Sequence, residues 1–111
     1  MKISSLSDIE PTCVSHNQKI SKQVMISKEE ISSITNFSRA VFPPGERAGA
    51  HSHDDMAEVF FIASGQGVMI VDGKEFEIHS NTCILIEPLE VHEIKNTGKA
   101  ELVILYFGVE A

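Results

Sequence analysis

The sequence predicts an all-β domain, a sandwich or a small barrel, and three observations carry that expectation. Short apolar runs recur between residues 22 and 107, each bounded by Gly, Pro, Asn, Asp or Ser. Asp72-Gly73 separates two of these runs, and a two-residue type I′ hairpin needs such a pair because both positions take positive φ. Helical periodicity is weak along the whole chain. Many short strands at this spacing are the pattern of a sandwich or barrel.

The elements follow in order. Residues 1–20 are polar and weakly patterned, so they read as an N-terminal arm or leader, with the single folded domain over 21–111. Strands are expected at 22–27, 36–42, 57–63, 67–72, 74–78, 83–87, 92–96 and 101–107, with turns at Pro43-Pro44-Gly45, Ser64-Gly65-Gln66-Gly67, Asp72-Gly73, His79-Ser80-Asn81 and Asn96-Thr97-Gly98. The stretch 27–33 offers one helical turn, with Ser27 as cap and Glu30 three residues later. Two strands are apolar on both faces. In the first, Glu58, Phe60 and Ile62 share a face opposite Val59 and Phe61; in the second, Leu102, Ile104 and Tyr106 alternate with Val103, Leu105 and Phe107. A strand with one solvated face alternates apolar with polar residues. Both faces are therefore covered, and the expected cover is a second copy of the chain in a homodimer. The plainer alternative is the chain's own arm.

Composition narrows the function classes. At 111 residues the chain is one domain, long enough to bury a core without staples. A net charge of -7, with Arg39 and Arg47 the only arginines, argues against nucleic acid or an anionic membrane as partner. Cys13 and Cys83 form no disulfide framework. Cys83 lies in an apolar run and reads as a small buried hydrophobe. The N-terminus lacks a signal-peptide apolar region, and the longest apolar runs are too short to span a bilayer, so a cytoplasmic location is expected.

Chemistry concentrates in one run, residues 45–65, which holds His51, His53 and Glu58 in the pattern H-x-H-x4-E. In extended structure His51 and His53 point to one face, and Glu58 follows a short turn. His92 opens a later strand. Imidazoles with a carboxylate suit Fe, Mn, Co, Ni or Zn with an open position, and the lack of thiolates argues against a structural zinc. Arg47 shares strand parity with His51, and with the strand extended that far back it would lean toward the mouth of such a site and clamp a carboxylate; the plainer reading is a surface arginine among excess acids. Tyr106 is a candidate acid or donor, and the plainer reading is a core residue with its hydroxyl satisfied. Phe42, Phe60, Ile62 and Ile94 read as core first and pocket wall second. His16 and His79, in polar segments, read as surface histidines, and Asn96 as the holder of a turn.

These segments resemble the two motifs of the cupin superfamily. Gly45, His51, His53, Glu58 and Gly65 match the first, G-x5-H-x-H-x4-E-x6-G. His92 and Asn96 match the second, in which Asn81 stands at the first Gly position, Glu87 at the Pro and Leu89 at the second Gly. The resemblance covers roughly residues 35–107. It implies a double-stranded β-helix, the jelly-roll barrel of small single-domain, RmlC-like proteins, with a divalent metal inside it. The metal ligands it implies are His51, His53, Glu58 and His92, with Glu58 either a ligand or an acid–base group beside the ion. Its histidines set the chain apart from the metal-free sugar epimerase branch. The expected function is a metal-dependent enzyme on a small organic molecule, of dioxygenase, isomerase or lyase type. The alternative is a non-catalytic binding or sensing module.

Overall fold

The computed structural model describes residues 1–110. Among them, ten strands form two antiparallel sheets. The six-stranded sheet runs in the order β1 (Thr12–Val14), β2 (Asn17–Ile26), β3 (Phe37–Phe42), β10 (Leu102–Glu110), β5 (Met56–Ser64) and β8 (Cys83–Ile86). The four-stranded sheet runs β4 (Arg47–His51), β9 (His92–Asn96), β6 (Gln66–Val71) and β7 (Lys74–His79). The chain passes from one sheet to the other along its length, and the two wrap into the expected jelly-roll barrel.

The core sits between the sheets, on alternate positions of each strand. Ala40 and Phe42 of β3, Phe60 and Ile62 of β5, and Leu102 and Ile104 of β10 face Met69, Ile78 and Ile94 from the other sheet. Burying such a side chain contributes about 1.5–3 kcal/mol. β-branched isoleucine dominates the set, as suits a pleated surface.

The turns behave as their residues require. Asp72 and Gly73 have φ of 49° and 83°, and Val71 pairs with Lys74 across a two-residue hairpin. Asn81 also takes the left-handed region, at 73°. Residues 27–30 form a turn and no helix. The Glu30 N–H donates to Ser27 O at 3.0 Å, and the Ser27 N–H donates to the Glu30 carboxylate at 2.7 Å. Lys2 grips the same carboxylate at 2.7 Å, and these contacts pull the Glu30 pKa down to about 2.

Three expectations change. Strand pairing begins at Thr12, inside the stretch read as an arm, and Ile20 of β2 is fully buried. The polar neighbours of Ile20 face out along a sheet margin, which hid the strand. β4 was not expected because RAGAH carries no apolar alternation and bulges between Ala48 and His51. Cys83 is exposed, since β8 is an edge strand.

The outer face of the six-stranded sheet is apolar over β10, β5 and β8. Val103 is buried, yet Phe61 is 37% and Leu85 59% exposed. The N-terminal segment lies against β2, where Gln23 Nε2 donates to Leu6 O at 2.9 Å and Ile9 O at 3.1 Å. Phe61 and Leu85, at the far side of the sheet, remain uncovered. No helix among the described residues is long and apolar enough to cross a membrane.

Gly65, between β5 and β6, has φ +93°, and a Cβ there would stand 2.5 Å from Glu101 O and 2.9 Å from Leu102 Cα. Gly45, at φ +83°, has open space around it. Gly65→Ala is expected to destabilise by about 2–4 kcal/mol, through strain plus backbone collision. Gly45→Ala is expected to cost about 1–2 kcal/mol, from strain alone. Urea unfolding of the two variants checks this, and equal losses would remove collision as the cause.

Candidate metal centre

The site is built from both sheets. His51 on β4 and His92 on β9 are cross-strand partners, with ring centroids 4.4 Å apart. Glu58 comes from the opposite sheet as an inward-facing residue of β5 and is 8% exposed. Its Oε1 lies 2.9 Å from His92 Nε2. Ligand atoms of His51, Glu58 and His92 all lie within 4.8 Å of one another. His53 follows the end of β4 and stands at the rim, with Nε2 3.4 Å from Glu58 Oε1 and its ring 5.1 Å from that of His51. Three of the four expected ligands thus form one tight cluster, and the fourth stands beside it.

The backbone aims the two clustered imidazoles. His51 Nδ1 lies 2.9 Å from Gly49 O, and His92 Nδ1 lies 3.1 Å from Glu90 O. A carbonyl only accepts, so Nδ1 carries the proton and donates, which leaves the Nε2 lone pair free in the neutral ring. That is the arrangement in which a histidine ligates a metal. His92 Nε2 and Glu58 Oε1 are fully buried and make no aligned hydrogen bond despite their proximity. Buried polar atoms without partners are costly. A divalent cation between these imidazole nitrogens and carboxylate oxygens would satisfy both, so the donor set fits such an ion.

Burial opposes a charge on His92, but the Glu58 carboxylate and the Glu90 carbonyl outweigh it and raise its pKa above 6.5. Tyr106 is stacked on Phe60, with centroids 5.8 Å apart at 16°. Burial, then the charge of Glu58, pushes its phenol up to about 12. It is a hydrogen-bond donor at ordinary pH and no base.

The cluster opens on a cavity of about 200 Å³. Phe42, Phe60 and Ile94, expected as core and pocket wall, serve as both. Tyr106 lines it as well. Arg47 does not: it is exposed and faces Glu93 at 3.7 Å. The β4 bulge is the reason, because Ala48 and His51 both line the cavity and the parity that tied Arg47 to His51 is broken between them. His16 is exposed, as read, and it also stands at the cavity mouth in the β1–β2 turn, its ring 5.9 Å from that of His51. His79 is exposed, as read. Lys22, a lining residue not foreseen, alternates with Ile20 and Val24 on the inward side of β2. A lysine in step with apolar neighbours was the available signal.

Two residues of the second motif act through the backbone. Asn96 donates to Phe42 O and to Ala100 O at 2.9 Å each and accepts from the Gly98 N–H, so it holds the turn. Leu89 takes φ +74°, and its N–H donates to His53 O at 2.7 Å. The turn before His92 is therefore left-handed although the residue is Leu, an uncommon conformation for a side chain of this bulk.

A family model described as a cupin domain matches residues 38–108. An oxalate-binding protein of Thermotoga maritima is 33% identical over 83 residues, covering 75% of this chain and 64% of that protein. An uncharacterised protein of Methanocaldococcus jannaschii is 33% identical over 70 residues, 63% of this chain and 56% of that one. The chain thus spans less than two thirds of the length of these curated relatives. Among solved structures, a predicted oxalate decarboxylase from Thermotoga maritima superposes with a TM-score of 0.92 at 27% identity, covering 99% of this chain and all of that one. An RmlC-like cupin from Shewanella frigidimarina gives a TM-score of 0.81 at 13% identity over 100% and 92% of the two chains, a likeness of fold alone.

The His92–Glu58 pair gives metal-free protein a defined pH response. A raised folded-state pKa contributes stability that is fully present below about 6.5 and is lost as pH rises through the folded value. NMR titration of chelator-treated protein is expected to find His92 above 6.5, and Glu58→Gln is expected to bring it down. A His92 pKa unmoved by Glu58→Gln would exclude the carboxylate as its cause.

Proposed function

This chain belongs to the cupin family, and from that premise we propose that it is a metal-dependent enzyme acting on a small organic acid inside its barrel. The ion is divalent, one of Fe, Mn, Co, Ni or Zn, held by His51, Glu58 and His92, with His53 as fourth ligand from the rim. One observation carries this reading: Glu58 Oε1 and His92 Nε2 are buried, lack hydrogen-bond partners and face one point from two different sheets. A bound ion supplies Lewis-acid chemistry toward a ligand oxygen. The protein supplies the rest. Phe42, Phe60 and Ile94 exclude water, which strengthens electrostatic interactions in the cavity. Tyr106 keeps its proton and donates to the bound molecule. A cavity of about 200 Å³ suits a small ligand.

The relatives support an organic acid. One is an oxalate-binding protein, and a structural neighbour is described as a predicted oxalate decarboxylase, which favours lyase chemistry among the expected types. The name of the first also favours a second reading, a binder without turnover. The protein acts in the cytoplasm as a homodimer. The uncovered apolar face around Phe61 and Leu85 supports a second copy as the cover.

Elemental analysis of protein purified without chelators is expected to find close to one ion per chain in wild type, and a loss of roughly tenfold or more in affinity for His51→Ala and His92→Ala. Equal metal in all three removes the site. With metal bound, oxalate consumption separates enzyme from binder: uptake without product favours the binder. Sedimentation is expected to find a dimer that Leu85→Glu shifts to monomer, and a wild-type monomer at high concentration rejects the dimer.

A further inference from the structure

We propose that Lys22 is a specificity-determining residue of the cavity: it takes a second anionic group of the bound molecule and makes the site prefer dianions over monoanions. The inference rests on the metal reading above and adds the charge of the ligand and the residue that selects it. Lys22 is half-buried on β2, and its neighbours in the strand pairing are Thr12 and Ala40. β2 lies on one side of β3 and β10, and β5, which carries Glu58, lies on the other. Lys22 and Glu58 therefore border the same cavity from one sheet, with two strands between them.

Lys22 is the only lysine or arginine among the lining residues, and Glu58 is the only carboxylate. Lys2, Lys19 and Arg47 each face a glutamate, whereas the Lys22 ammonium has no carboxylate partner among the described residues. A lysine commonly lays its apolar stem along a wall and keeps its ammonium free, and Lys22 lines a space shared with the imidazoles of His16, His51, His53 and His92. With the clustered histidines neutral, Glu58 and Lys22 cancel, and a divalent ion leaves the cavity with two positive charges. A dianion restores neutrality where a monoanion does not, and in a low-dielectric cavity that difference is amplified. One carboxylate sits at the His51–Glu58–His92 cluster and the other is drawn toward Lys22. A ligand of this kind agrees with the small volume.

The test is calorimetry of Mn(II)-loaded protein with malonate, a dianion, and acetate, a monoanion. Lys22→Met keeps the volume of the stem and removes the charge. It is expected to weaken malonate by roughly tenfold or more, as loss of a charge-assisted contact does. Acetate affinity and manganese content are expected to stay as in wild type. Lys22→Arg is expected to retain most of the malonate preference, and Arg47→Met, outside the cavity, to change nothing. Thermal melting checks that the variants fold, and Lys22→Gln replaces Lys22→Met if the latter does not. Equal loss of both acids, or no loss of malonate, overturns the proposal, as does a wild type that binds neither. A wild type that takes up no Mn(II) overturns the metal reading instead. Malonate titrated into that metal-free protein then still decides Lys22, whose loss must weaken it.

Discussion

Glu58 Oε1 and His92 Nε2 meet 2.9 Å apart in the interior, one from each sheet, with no hydrogen bond to satisfy them. Two such polar atoms cost free energy in an apolar core, and the fold is organised around holding them there. β9 pairs with β4 so that His92 and His51 stand side by side. β10, the long central strand, carries β5 on one edge and β3 on the other, which brings Glu58 up from the opposite sheet. Carbonyls of Gly49 and Glu90 orient the rings. The expense of those unpaired atoms is offset by the isoleucine-rich remainder of the barrel, and it is an arrangement that a divalent cation would relieve.

The barrel divides accordingly. Ile20, Ile62, Met69, Ile78 and Leu102 are buried and do not line the cavity, so they form the closed part. His16, His51, His53, His92, Tyr106 and Lys22 line the open cavity. Strand alternation makes this division possible, since neighbouring residues of one strand serve opposite faces. On β5, Glu58, Phe60 and Ile62 step from the histidine–carboxylate cluster to cavity wall to core, while Phe61 points to the outer face. The outer face is apolar where the N-terminal segment does not lie, so the same strands that build the cavity within leave Phe61 and Leu85 exposed without.

Much of this was legible in the sequence because it depends on local periodicity. The eight expected strands are present, and the Asp72-Gly73 hairpin has the positive φ values that its residues allow. The motif spacing also found the residues of the His51–Glu58–His92 cluster. What was missed lies where alternation fails or is disguised. The β4 bulge turned Arg47 away from the cavity, and a bulge leaves no mark in a short run without apolar residues. Polar residues on the sheet margin hid β1 and the start of β2, and with them the placement of His16 and Lys22.

By itself the sequence determined an all-β chain, its turn positions and the chemical identity of a histidine–carboxylate site, because side-chain type and a period of two are properties of neighbours along the chain. Only the tertiary structure decided that Glu58 faces His92 from the other sheet, that Arg47 stays outside and that Lys22 and Tyr106 share the cavity. Those relations join residues tens of positions apart, and they follow from strand order, register and one bulge, none of which local pattern encodes.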